Sequence, residues 1–221
     1  MQRLNLKNNL LIACFAATLV GNAFAENNDI QAPDGFNLVE TKQLDKAWVN
    51  PDFKPSDFKT IAVKMDKFDF RPGQKKFKVR GRNENYELTE KEKNRLEEKT
   101  EAIFKKQLGL LENYQLVELD KANEQTIIVQ IKLNDFVNKV PNMRQVDGIT
   151  KLYMRQFGAA TLDIEFLGGD DQHLLFKGYV REEIEPMGHD LERANTITAR
   201  QQTKLQLERW AKDLRKHIDA L

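Results

Sequence analysis

Residues 158–180 read GAATLDIEFLGGDDQHLLFKGYV, and in the first half Ala160, Leu162, Ile164 and Phe166 alternate with Thr161, Asp163 and Glu165. Period two is the signature of an extended chain with one face buried. Gly168-Gly169-Asp170-Asp171 supplies a turn, after which Leu174, Phe176 and Val180 return. The stretch predicts a β-hairpin whose apolar face needs a second layer.

Other segments supply that layer and extend the sheet. KTIAVKMDKFDF alternates Ile61, Val63 and Met65 with Lys64 and Asp66, which predicts a strand over Thr60–Phe70. Thr89-Glu90-Lys91-Glu92 is a capping box, so a helix is expected to start at Thr89. Its Leu96, Ile103, Phe104, Leu108 and Leu111 share one face, and Gly109 frays or ends it. Two further strands are predicted over Tyr114–Leu119 and Thr126–Val137, the second with Ile127, Val129, Ile131 and Leu133 on its buried face. A closing helix over about Thr198–Ala220 carries the stripe Leu207, Trp210, Ala211, Leu214, Ile218 and Leu221. The expectation is an α+β fold: a two-layer sandwich with a mostly antiparallel five-stranded sheet and two helices packed on one face. The β-α-β step makes the first two strands parallel by a right-handed crossover. The first and third strands are expected at opposite edges.

The N-terminus reads as an export segment. Arg3 and Lys7 precede the apolar run Leu10–Val20, and Ala23-Phe24-Ala25 forms a small-residue cleavage site before Glu26. Leu11-Ile12-Ala13-Cys14 competes as a lipidation box, but only Leu10–Ala13 would precede it as apolar chain. Residues 1–25 are therefore expected to be a signal peptide cut between Ala25 and Glu26, giving a periplasmic protein. The alternative is an outer-membrane lipoprotein anchored through Cys14. Residues 26–58 then form an extended segment with loops, and residues 59–221 the α+β domain. Removing Arg3 and Lys7 from 35 Lys and Arg leaves 33 against 34 Asp and Glu, a net charge of −1 that calls for no polyanionic partner. The single cysteine lies in the removed segment, so stability must come from packing.

The run PDGFNLVETKQLDKAWVNPDFKPSDFKTIAV, the helix LTEKEKNRLEEKTEAIFKKQL, YQLVEL, GAATLDIEF and the closing RWAKDLRKHID together resemble a family of exported bacterial envelope proteins classed as a domain of unknown function. The resemblance covers most of residues 33–220. It implies an envelope location, with many members lipoproteins, and it brings no catalytic residue to carry over.

The residues themselves offer little catalytic apparatus. Ser56, the only serine, sits in KPSDF without a nucleophile elbow. His173, His189 and His217 lack zinc spacing, and GGDDQ lacks the following Glu of a calcium loop, so no metal and no cofactor are expected. His189-Asp190 reads as chance adjacency. Two loops are candidates for contact. Arg71, Lys75, Lys76, Lys78, Arg80 and Arg82 carry no intervening acid and could engage anionic headgroups. The second, residues 138–157, combines Met143, Arg144, Tyr153, Met154, Arg155 and Phe157, a composition suited to a partner surface. Export makes nucleic acid a poor partner. The expected function is a non-enzymatic binding or accessory module of the envelope, acting on an envelope protein or an anionic membrane surface. The alternative is a carboxylate-dependent hydrolase, which would show as a deep pocket gathering two or more acids or histidines.

Overall fold

The computed structural model describes residues 31–71, 77–79, 82–84, 88–140, 152–186 and 191–220. The sites at Cys14, Ala25, Glu26, Lys75, Lys76, Arg80, Met143, Arg144 and His189 lie outside the described residues, as do the side chains of Lys78 and Arg82. In chain order the elements are β1 (Asn37–Val39), β2 (Lys46–Val49), β3 (Thr60–Met65), β4 (Phe77–Val79), β5 (Arg82–Glu84), α1 (Glu90–Leu108), β6 (Gln115–Val117), β7 (Thr126–Asn138), β8 (Tyr153–Met154), β9 (Gly158–Gly168), β10 (Leu174–Ile184), β11 (Glu192–Arg193) and α2 (Thr196–Asp219). Seven strands form one mixed sheet in the order β1-β2-β10-β9-β7-β3-β6, while β4 pairs with β5 and β8 with β11.

The α+β class stands, and the sheet differs from the expected five-stranded, mostly antiparallel one in two ways. Strands β1 and β2 add to it from the segment read as extended chain and loops, β2 antiparallel on the outer edge of β10 and β1 on β2. NLV and KAWV are too short to show a period, but they satisfy backbone groups of β10 that a bare edge would leave unpaired. Strand β3 runs parallel to β6, as the β-α-β step requires; the second difference is that it runs parallel to β7 as well. Thus β3 and β7, expected at opposite edges, lie side by side, and the chain leaves both at the same end of the sheet. Strand β3 also stops at Met65, five residues short of the predicted end, though the Asp66 and Asp69 N–H groups and a bridge from Phe70 to Phe136 keep the chain beside β7 beyond it.

One face of the sheet holds the core. Val63, Val129, Phe166 and Phe176 stand in register across β3, β7, β9 and β10, and the Phe166 and Phe176 rings stack at 4.6 Å. Phe104 and Leu108 from α1 and Leu207, Trp210 and Leu214 from α2 join the same buried cluster, so both helices cover this face. The opposite face carries the row Lys64, Gln130, Glu165 and Lys177, closed by a Lys177–Glu165 ion pair at 3.2 Å. A small cluster of Ala62, Ile128 and Leu167 is buried there, and Trp48, opposite Lys177, is buried on the same face. Ile128 is the one apolar side chain in the outward set of the predicted third strand.

Local chemistry sets both helix starts. The Thr89 hydroxyl accepts from the Glu92 N–H at 3.3 Å, and Glu92 Oε2 accepts from the Thr89 N–H at 3.0 Å. Thr89→Ala is expected to cost about 1 kcal/mol in chemical denaturation, because it removes the side-chain half of the reciprocal cap. An unchanged midpoint would show that the box contributes nothing. Helix α2 begins two residues before the expected Thr198, because Asn195 caps it. Asn195 Oδ1 accepts from the N–H groups of Ile197 and Thr198, and the Thr198 hydroxyl reaches back to the Asn195 N–H. Thr198 is thus the third residue of the helix and the reciprocal half of the cap.

Candidate functional site

Helix α1 presents Arg95, Leu96, Lys99 and Ile103 toward α2, which presents Thr196, Ala199, Arg200, Thr203 and Lys204 in return. Both sets recur at three- and four-residue spacing, so each is one helical face. Between them, over the end of β7 at Phe136, lies a cavity of about 110 Å³. Its origin is a change of side-chain size along α2. Leu207, Trp210 and Leu214 fill the interface further on, whereas Ala199 and Thr203 are too small to reach α1. Leu96 and Ile103 are half-buried because they line this void as well as the core.

The cavity is apolar inside and cationic at its mouth. Arg95, Lys99, Arg200 and Lys204 surround it, and Glu92 is the only carboxylate among the lining residues that are described. Arg200 and Lys204 are paired, Arg200 Nη2 with Glu92 Oε1 at 3.0 Å and Lys204 with Glu208 at 3.5 Å. The Thr89 N–H, reinforced by Arg200, holds the Glu92 carboxyl below its usual range, so this group stays ionised and committed to the cap. Among the described residues Arg95 and Lys99 have no acidic partner. Like charges four residues apart on a helix oppose its formation by a few tenths of a kcal/mol. An anion at the mouth would offset that.

The residues singled out in the sequence fall elsewhere. Arg71 donates to Asp135 through Nε at 2.8 Å and Nη2 at 3.0 Å. Asp135 sits in a bulge of β7 with φ 54°, a backbone state that Asp tolerates better than most residues, and it also meets Arg181 at 3.3 Å. Arg71 and Arg181 together keep its carboxyl below the usual range, Arg71 being the larger cause. Of the basic loop, the one side chain described is therefore already neutralised on the sheet. Of the second loop, Tyr153 and Arg155 are exposed, Met154 packs against the core and Phe157 is buried. At the tip of the β9–β10 hairpin, Asp170, Asp171 and His173 bring ligand-type atoms within 4.8 Å of one another. The turn itself accounts for this arrangement. Asp171 Oδ1 accepts from the His173 N–H at 3.1 Å and meets the imidazole, which pulls the Asp171 carboxyl down to about 2. His217 lies against the Phe176 ring at 5.1 Å, and burial lowers its pKa.

The inter-helix cavity does not follow from the sequence reading of α1, which places only Leu96, Ile103, Phe104, Leu108 and Leu111 on one face. Two signals point to it: the unpaired like charges flanking Leu96, and an α2 stripe with no large apolar residue before Leu207.

No protein-family model matches the chain, and no curated protein matches its sequence. Solved structures to which it is similar include a neuraminyllactose-binding hemagglutinin homolog from Helicobacter pylori, at 9% identity and a TM-score of 0.38 over 73% of this chain and 81% of that one. The PelC dodecamer from Paraburkholderia phytofirmans aligns at 9% identity and 0.36, over 72% and 88%. Protein XCC0632 from Xanthomonas campestris, of the DUF330 domain of unknown function, aligns at 10% and 0.37, over 76% and 86%.

Proposed function

We propose that this protein is a non-enzymatic binding module of the cell envelope whose groove between α1 and α2 takes up an anionic amphiphile, an apolar chain with a negatively charged head. The observation that carries the reading is an apolar cavity of about 110 Å³ with two unpaired cations, Arg95 and Lys99, at its mouth. Apolar cavities of about 150 Å³ stay dry and accept small apolar molecules, so this one suits the terminal part of a chain. The cations would then neutralise the head where it meets water. A single carboxylate already engaged in a helix cap supports binding over carboxylate catalysis, which needs a pair with separated proton affinities. The export segment makes envelope lipids the ligands in reach.

Titration calorimetry with dodecanoate and with neutral dodecanol tests it. The chain from Glu26 onward serves, because it contains the whole compact unit Ala32–Leu221 and lacks the apolar run at Leu10–Val20. Dodecanoate is expected to bind at least about tenfold more tightly than dodecanol, a difference of about 1.4 kcal/mol. Ala199→Leu, which fills the void without unfolding it, should abolish binding of both. Joint Arg95→Glu and Lys99→Glu replacement should remove the preference for the anion. Equal affinity for the two ligands, or dodecanoate binding that survives Ala199→Leu, would refute the assignment.

A further inference from the structure

The small ribbon of β8 and β11 has two different sides. Tyr153 stands opposite Arg193, and Met154 opposite Glu192. Side chains alternate along a strand, so each pair occupies one face of the ribbon. The Met154 side is fixed inward: Met154 packs on the main core, and Glu192 Oε2 accepts from Gln202 Nε2 of α2 at 2.5 Å. On the other side the described side chains are exposed. Tyr153 is 52% exposed and Leu191 61%, and Ile197, in the first turn of α2, is 76% exposed. The ribbon is tied to that turn through the Thr198 hydroxyl, which donates to the Arg193 carbonyl at 2.7 Å. Arg155 and Arg193 are exposed beside these apolar side chains and, among the described residues, have no acidic partner.

We propose that this face, formed by Tyr153, Arg155, Leu191, Arg193 and Ile197, docks on an anionic lipid surface. An aromatic side chain with a polar tip and two aliphatic ones suit the boundary between headgroups and acyl chains, and two unpaired arginines match the negative charge of the headgroups. The face adjoins the groove, since Thr196 lines the cavity and the next residue, Ile197, belongs to the docking face. A chain leaving the lipid surface would therefore enter between α1 and α2 at the docked end. This part of the argument rests on the groove reading above.

Sedimentation with vesicles of phosphatidylcholine alone, or of phosphatidylcholine with phosphatidylglycerol, tests the proposal on the chain from Glu26 onward. The wild type should co-sediment with the anionic vesicles at least about tenfold more strongly than with the neutral ones, and added salt should weaken the association. Joint Leu191→Asp and Ile197→Asp replacement, and separately Arg155→Glu with Arg193→Glu, should each reduce sedimentation at least about tenfold. All are exposed positions, and an acid in the first turn of α2 suits the helix dipole, so folding should survive. Both variants should bind dodecanoate as the wild type does, whereas Ala199→Leu should lose dodecanoate and still dock. Variants that sediment like the wild type would overturn the docking face, as would a wild type that binds dodecanoate but ignores vesicles. Docking that persists in a wild type unable to bind dodecanoate would overturn the groove and leave the docking face standing.

Discussion

Trp210→Ala is expected to lose about 3 to 5 kcal/mol of stability in a denaturant melt. Trp210 is 4% exposed, at the centre of the α2 stripe, and belongs to the same buried cluster as Phe166 and Phe176 of the sheet. Truncation removes most of an indole from a buried cluster shared by both helices and the sheet, so little of the space can close. The indole Nε1 is buried without a hydrogen-bond partner among the described residues, which separates packing from polar pairing. Trp210→Phe should therefore cost less than the alanine variant, since it keeps an aromatic ring and breaks no hydrogen bond. A loss below about 1 kcal/mol for Trp210→Ala would mean that α2 does not dock on the sheet as described.

Gly169→Ala is expected to cost about 1 to 3 kcal/mol by overpacking, although one methyl group is all it adds. A Cβ at this position would stand 2.1 Å from the Asn123 carbonyl oxygen and 2.9 Å from the Thr126 carbonyl oxygen. Both obstacles are backbone. Thr126 opens β7, and its hydroxyl accepts from the Asn123 N–H at 2.9 Å, so that turn resists being pushed aside. The sequence suggests a different reason for glycine here, a reversed turn in GGDD. In the structure the left-handed residue of the hairpin is Gln172, with φ 55°, and Gly169 supplies room. Equal midpoints for Gly169→Ala and the wild type would show that the Asn123–Thr126 turn yields freely.

Much of the proposed docking face is visible in the chain before folding, but only as half a surface. Tyr153 and Arg155 stood out by composition, while Leu191, Arg193 and Ile197 carry no local signal and reach them through strand pairing and the α2 cap. Met154, drawn into the same surface by composition, turns inward because alternate residues of a strand face opposite ways, whereas Phe157 lies beyond β8, buried at the entry to β9 where its N–H donates to the Ile184 carbonyl. The groove was less legible still. It exists because small residues of α2 oppose Leu96 and Ile103 of α1 about a hundred residues away, and a void is a property of two elements, never of one.

By itself the sequence determined the elements whose signals are local. Thr89 with Glu92 set the start of α1, the alternation from Ala160 to Phe166 set β9 and which of its faces is buried, and the Leu207–Ile218 stripe set the inner side of α2. Each of these depends on residues within a few positions of one another, through hydrogen bonds to the nearest backbone or through the repeat of helix and strand. The tertiary structure decided the order of the strands, the addition of β1 and β2, the parallel placement of β3 beside β7, and the space between α1 and α2. Those outcomes are fixed by pairs such as Val49 with Phe176, Glu92 with Arg200 and Gly169 with Asn123. Such pairs are chosen only when the chain closes long loops around a shared core, and no pattern within either partner's own segment specifies the other.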